Sequence, residues 1–250
     1  MPEIGNFRVG EFTVTEYDTL DSTNNLLKKL AAEGAPDGAA AIALSQTGGK
    51  GRLGRSFFSP EGCGLYMSVL LRRDIPVELA KLLTPLAAVA VAEALERCGS
   101  KKIGIKWVND LYADGKKVCG ILTESQISPD GSALNWAVVG IGVNLVEPPC
   151  GYPEGIKDRA GAAFESASEG LRERAAREIL LSLGSRLKNL GSREFIDDYR
   201  ARSILTGREV TVLPEGIPAR VKGIDGDCRL IVDTPSGERL LESGEVSLKL

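Results

Sequence analysis

At 250 residues, with 43% apolar and 26% charged side chains, the chain lies in the range of ordinary globular proteins and is long enough for one large domain or a larger one with a small companion. It contains no histidine, which excludes Ser-His-Asp and Cys-His nucleophile systems, His-ligated zinc and imidazole general bases, and leaves Lys, Arg, carboxylates, amides, hydroxyls and thiols to carry any chemistry. With 31 Lys plus Arg against 34 Asp plus Glu, the net charge of −3 excludes a global nucleic-acid footprint, and the 5 cysteines, without C-x-x-C spacing, fit reduced cytoplasmic thiols rather than a disulfide framework.

The opening MPEIGNFRVG has neither a basic nor an apolar signal region, and no apolar run nears the roughly 18 residues that span a bilayer, so no membrane association is expected. Phe12, Val14 and Tyr17 alternate as a strand, and Asp21-Ser22-Thr23 then open a helix with Leu26, Leu27, Leu30 and Ala31 on one face and Gly34 as its stop. An apolar strand from residue 39 runs into the loop QTGGKGRLGR at 46–55, and LYMSVLL at 65–71 reads as a further strand. Thr84-Pro85 fits an N-cap followed by proline at the first helical position, before a buried Ala, Leu and Val helix that ends at Gly99.

Three central strands are expected at 103–108, 117–124 and 135–145, the first two joined as a hairpin by the turn Ala113-Asp114-Gly115. The proline- and glycine-rich stretch 146–155 predicts an irregular excursion, followed by helices over about 167–190 and 193–203. From Thr206 five short β-prone runs separated by turn pairs predict a small all-β barrel. The expected division is therefore 1–205 and 206–250.

The loop Gly48 to Arg55 holds four glycines and three cations, with no acid. Glycines let backbone N–H groups approach an anion, and Lys and Arg supply charge-assisted bonds to its oxygens, which describes a phosphate-binding loop; a flexible, solvated basic loop is the plainer alternative. It is neither a Walker A motif nor a G-x-G-x-x-G turn. A second cluster, Lys106-Trp107-Val108-Asn109-Asp110 with Lys116-Lys117, places Asn109 or Asp110 near Lys117 across a short hairpin. A carboxylate, an amide and a lysine beside a phosphate loop suit Mg-nucleotide chemistry, although an ordinary Asn-Asp turn between surface lysines has the same residues.

DSTN at 21–24, QTGGKGRLGRSFFSP at 46–60, KWVNDLY at 106–112, KKVCGIL at 116–122, GIGVNL at 140–145 and GEVSL at 244–248 together resemble the biotin protein ligase family over nearly the whole chain. The resemblance implies an α+β fold, a mixed and largely antiparallel sheet with helices, followed by a small SH3-like β-barrel. It also implies a two-step reaction in which biotin and ATP give biotinyl-5′-AMP and a lysine of a biotin carboxyl carrier domain is then biotinylated, with Mg²⁺ assisting. Under it, Ser22, Thr23, Asn24 and Gln46 match positions around the biotin head group, and Lys50, Gly51 and Arg52 match a loop that folds over biotin and the adenylate. Lys117 matches the lysine on the biotin carboxylate and the α-phosphate; Arg55, Lys106, Asn109 and Asn144 fall at nucleotide positions and Asp110 at a metal position. Lys117, Arg52 and Asp110 are the expected catalytic residues, Asp110 also as the group that orients or deprotonates the incoming lysine.

Lys50 stands where the family commonly has Arg, Val108 where it has Pro, Phe57 where Trp is common and Cys119 where Ala is usual. Phe57 is expected to pack, Cys119 to lie in the core rather than form a thioester, and Trp107 either to stack on ligand or to belong to the core. Bifunctional members carry an N-terminal DNA-binding module of roughly 60 residues, whereas DSTN begins here at residue 21, so no operator binding is expected. The competing expectations are a lipoate or octanoate ligase or transferase and a non-catalytic biotin sensor. Homodimer formation through a sheet edge is open, with the strand 135–145 as the candidate edge.

Overall fold

The computed structural model describes residues 3–242 and 244–248. In chain order it contains β1 (Glu3–Val9), β2 (Phe12–Leu20), α1 (Thr23–Ala32), β3 (Ala39–Gln46), β4 (Gly64–Leu71), α2 (Leu83–Arg97), β5 (Gly104–Lys106), β6 (Asp110–Ala113), β7 (Lys116–Ile127) and β8 (Leu134–Asn144). Next come α3 (Leu171–Leu187), α4 (Phe195–Ala201), β9 (Glu209–Leu213), β10 (Ile217–Ile224), β11 (Leu230–Thr234), β12 (Gly237–Leu241) and β13 (Glu245–Leu248).

Eight strands form one sheet in the order β1-β2-β3-β4-β8-β7-β6-β5. Only β2 and β3 are parallel, because α1 crosses between them; the other neighbours are antiparallel. Strand alternation divides the interior in two. Ala40, Ile42, Val139, Ile141 and Val143 face a large core with α2 and α3, whereas Ala41, Ala43, Leu70 and Val138 face the smaller core under α1. The α2 helix is apolar on almost every side and its Ala and Val run is buried, as a helix packed between sheet and α3 should be. The last five described strands form a second, antiparallel sheet, β12-β11-β10-β9-β13, and its inward residues, among them Val210, Val221, Leu230 and Val246, continue the large core.

Several expectations are corrected. The strand 135–145 is not an edge: β8 lies between β4 and β7, since its near-continuous apolar run is buried on both faces. The edges of the large sheet are β1 and β5. The run 103–108 is not one strand paired to 117–124, because residues 107–109 turn tightly and β6 intervenes between β5 and β7, so that the turn at 113–115 joins β6 to β7. Thr84 is not an N-cap; α2 begins at Leu83, and the Thr84 hydroxyl donates to Thr123 Oγ1 at 2.8 Å. Ser22 occupies the N-cap position of α1 with extended backbone, but without a side-chain capping bond. The N-terminal hairpin strand β1, mostly exposed, has no counterpart among the sequence expectations.

Candidate active site

The site lies on the α1 face of the large sheet, where glycines of β7 and β8 leave part of the floor without side chains. Gly120 pairs with Gly142 and Leu122 with Gly140 across the β7–β8 ladder. A Cβ on Gly142 would come 2.7 Å from the Phe57 ring, and one on Gly140 would come 2.0 Å from Asn24 Oδ1, so neither place accepts even alanine without displacement. Phe57 covers this floor and meets Tyr66 edge to face, with ring centroids 6.4 Å apart. It packs, as expected, and it also walls the cavity.

At one end, the start of α1 is tied into a polar network. Thr23 N–H donates to Gln46 Oε1 at 2.9 Å, and Gln46 Nε2 donates to Ser59 Oγ at 3.0 Å. Asn24 Nδ2 donates to Glu124 Oε2 at 3.0 Å and to Leu122 O at 3.3 Å, and Lys28 Nζ lies 2.5 Å from Glu124 Oε1. Burial raises the proton affinity of Glu124, but the bonds from Lys28 and Asn24 outweigh it and hold the carboxyl below its usual range. Ser22, Thr23, Asn24 and Gln46 all line the cavity, as expected of them together.

At the other end, the glycine-rich loop meets the 107–109 turn. Gly51 N–H donates to Arg55 O at 2.7 Å, and Lys50 bridges to Ser56; between them residues 52–54 make a tight 3-10 turn, with Leu53 at φ 56° exposed on its tip. This fold of the loop projects Arg52 inward, where Nη1 donates to Asn109 Oδ1 at 2.9 Å. Asn109 Nδ2 in turn donates to Asp110 Oδ1 at 2.9 Å and to Ile121 O at 3.1 Å. Lys117 Nζ lies 2.6 Å from the same Asp110 oxygen, which realises the closeness that the short hairpin implied. Lys50 extends to Asn25 Oδ1 at 2.6 Å.

Lys50, Gly51, Arg52, Asn109 and Lys117 line the same cavity as the α1 network. Four expected residues do not. Asp110 stands behind Lys117; Lys106 is its partner across the β5–β6 pair; Arg55 is exposed on the far side of the loop turn; and Asn144, at the end of β8, donates to Gly161 O at 3.0 Å. Trp107 belongs to the core: it is buried and its indole N–H donates to Cys228 O at 2.8 Å. Cys119 is fully buried, and burial pushes its thiol well up, so no reactive thiolate forms there. Sequence reasoning missed Ser68 and Glu124, which bear on the site only through folding; the alternation of glycine at 120, 140 and 142 in otherwise apolar strands was the signal for the floor.

Residues 16–144 match the biotin/lipoate A/B protein ligase family, and residues 205–249 match the biotin protein ligase C terminal domain. The chain is 34% identical over 238 residues to the bifunctional ligase/repressor BirA of Bacillus subtilis, covering 93% of this chain and 73% of that protein. It is 32% identical over 236 residues to the biotin–acetyl-CoA-carboxylase ligase of Mycobacterium tuberculosis, covering 90% and 85%. This chain belongs to the biotin/lipoate A/B protein ligase family. The biotin protein ligase of Aquifex aeolicus, solved in complex with biotin and ATP, superposes with a TM-score of 0.76 at 31% identity, covering 94% of this chain and 98% of that one. For a biotin/lipoate ligase family member, the glycine floor, the α1 network and the Arg52–Asn109 contact are features of one contiguous cavity.

Proposed function

We propose that this chain is an ATP-dependent biotin protein ligase of the cytoplasm, which activates biotin to biotinyl-5′-AMP and passes the biotinyl group to a lysine of a biotin carboxyl carrier domain. The observation that carries this reading is the convergence, in one cavity, of a polar head-group end (Ser22, Thr23, Asn24, Gln46) with a cationic end (Lys50, Arg52, Lys117). Relatives named as biotin ligases, and a similar structure holding biotin and ATP, support it.

In the first step a biotin carboxylate oxygen attacks the α-phosphorus of ATP, and the bond to the β-phosphate oxygen breaks to release pyrophosphate. Two anions must approach each other, and the Lys117 ammonium and Arg52 guanidinium offset that repulsion and stabilise the charge gathered in the transition state; one well-placed donor of this kind contributes roughly 3–4 kcal/mol. No base is required, in keeping with a chain that has no histidine. In the second step the carrier amine attacks the acyl carbon and AMP leaves. Asp110, the candidate for orienting or deprotonating that amine, holds Lys117 in place from 2.6 Å. Arg55, Lys106, Asn109 and Asn144 are assigned to the nucleotide side.

Mg²⁺ enters with the nucleotide as substrate. Among the described residues no group of three or more His, Cys, Asp and Glu side chains comes together to hold a metal, and Asp110, which stands behind Lys117 with Oδ1 engaged by Lys117 and Asn109, is the carboxylate assigned to an ion whose other ligands are phosphate and water. Bound there, Mg²⁺ would neutralise triphosphate charge.

We infer further that residues 206–250 are an SH3-like barrel that follows a catalytic unit of 1–205, a reading supported by the match at 205–249. The ligase reading is tested by the mass of a biotin carboxyl carrier domain after incubation with Mg-ATP and biotin, lipoate or octanoate. A gain of one biotinyl group, with biotin only, is expected. Transfer of lipoate or octanoate instead, or biotin binding without any product, overturns it.

A further inference from the structure

β7 and β8 pair from Cys119 and Val143 as far as Ile127 and Leu134, but at the cavity end of this ladder the two strands part. β7 keeps to β6 down to Lys116, with Val118 left over in a bulge, while β8 runs on to Asn144. The chain that leads from β8 to α3 returns into the fork between them as a wedge of residues 159–164, and it is bonded on both flanks. On the β8 side Asn144 Nδ2 donates to Gly161 O at 3.0 Å, and the N–H groups of Ala163 and Phe164 donate to Asn144 O and Leu145 O, each at 2.9 Å. On the β7 side Lys117 N–H donates to Arg159 O at 2.7 Å, and Gly161 N–H donates to Lys117 O at 2.9 Å. The wedge is narrow because its sequence is small: Ala160, Ala162 and Ala163 are buried in the fork around Gly161.

In a strand the N–H and C=O of one residue point to the same side, and at Lys117 that side is the wedge. Its pairing with Tyr112 of β6 is therefore of the kind that carries no main-chain bonds, and β8 has already diverged. Both main-chain polar groups of Lys117 thus go to residues 159–161. Asp110 holds the tip of the side chain, 2.6 Å from Nζ, but the carboxylate and α-phosphate of the ligase reaction draw on the same ammonium hydrogens. The root is what stays fixed as the tip exchanges partners. The approach at the root is close: a Cβ on Gly161 would lie 2.7 Å from Lys116 Cβ, so a side chain there pushes the Lys116–Lys117 main chain away from the fork.

We propose that the wedge 159–161 is a positioning segment for Lys117, which sets the main chain from which the lysine reaches the reacting carboxylate and phosphate, with Gly161 as the point of closest approach. This deepens the ligase reading and rests on it. None of the three wedge residues lines the cavity, so their effect on the reaction passes through the lysine.

The test is Gly161→Ala, assayed by biotin-dependent exchange of labelled pyrophosphate into ATP. Because the lysine is displaced while every cavity-lining side chain is retained, kcat is expected to fall about tenfold with the biotin and ATP KM within about threefold of wild type. Lys116→Gly alone leaves exchange within about twofold of wild type, and combined with Gly161→Ala it restores most of the lost kcat, since it removes the atoms that the new methyl meets. In a Lys117→Ala background Gly161→Ala costs nothing further. Should Gly161→Ala not fold, Lys116→Ile crowds the unaltered Gly161 from the other side, with the same selective loss of kcat expected. An unchanged kcat in the folded variant, a loss that Lys116→Gly does not repair, or a penalty that adds in the Lys117→Ala background would each overturn the positioning role. A wild-type protein without biotin-dependent exchange overturns the ligase reading itself, so the two failures are distinct.

Discussion

Arg52 is the side chain by which the glycine-rich loop reaches the β5–β6 turn, and its partner Asn109 is held from behind by Asp110 and Ile121 O. A loop fastened at one such point opens when that point is lost. Arg52→Ala is expected to speed dissociation of biotinyl-5′-AMP by roughly 10–100-fold without lowering the unfolding temperature, read from the decay of preformed intermediate under chase with unlabelled biotin. Unchanged retention would show that the clasp lies elsewhere. The loop's place at the cavity was legible from its residues, four glycines and three cations without an acid, and so was the approach of Lys117 to Asp110, which a short hairpin requires. Glu124 was not legible, because its partner Asn24 is 100 positions away and only folding brings the start of α1 to β7. Lys50 shows a similar limit: its contact with Asn25 depends on where α1 begins relative to the loop.

Among the elements, those with strong periodicity or strong apolar runs were read correctly: α1, α2, β4, β7, β8 and the five C-terminal strands all fall where the pattern puts them. The failures have local causes. β6 escaped notice because the turn before it spans only 107–109, which merges two strands into one apparent run, and β1 because its side chains are mostly exposed and carry no inward alternation. One junction between elements makes a further prediction. At the end of α2, Glu96 takes a two-pronged contact from Arg202, Nη1 to Oε1 at 2.9 Å and Nη2 to Oε2 at 2.8 Å, and accepts from Ile103 N–H at 2.9 Å. It thereby joins the helix to the start of β5 and to the segment that enters the second sheet. The bond from Arg202 is the main cause that holds the Glu96 carboxyl below its usual value, burial opposing it. A depressed folded-state value means stability that is present above the unfolded carboxyl value of about 4.3 and is lost as pH falls through the folded one. Glu96→Gln is therefore expected to cost about 1–3 kcal/mol in urea unfolding at pH 7, with the gap to wild type narrowing as pH drops below 4. A penalty that is the same at both pH values would contradict this role.

For the molecule as a whole, one core runs from the large sheet through α2 and α3 into the second sheet, and hydrogen bonds tie its parts together: Trp107 to Cys228 O, Tyr199 to Val108 O at 3.1 Å, and Arg193 to Asp227 at 2.9 Å. The first fastens the 107–109 turn to the β10–β11 connection of the second sheet and the second fastens it to α4, so both elements support the turn that presents Asn109 to Arg52. This support could not be read from the sequence, where Trp107 fitted ligand stacking as well as core. The cavity it helps to build has a polar end and a cationic end, and the central claim is that the two ends together activate biotin with ATP before any carrier arrives. Biotin-dependent exchange of labelled pyrophosphate into ATP, with Mg²⁺ present and no carrier protein, measures that step alone. The account predicts exchange that requires biotin, is not supported by octanoate, and falls at least about 100-fold in Lys117→Ala. Exchange that proceeds without biotin, or no exchange with biotin while biotin is bound, would contradict it.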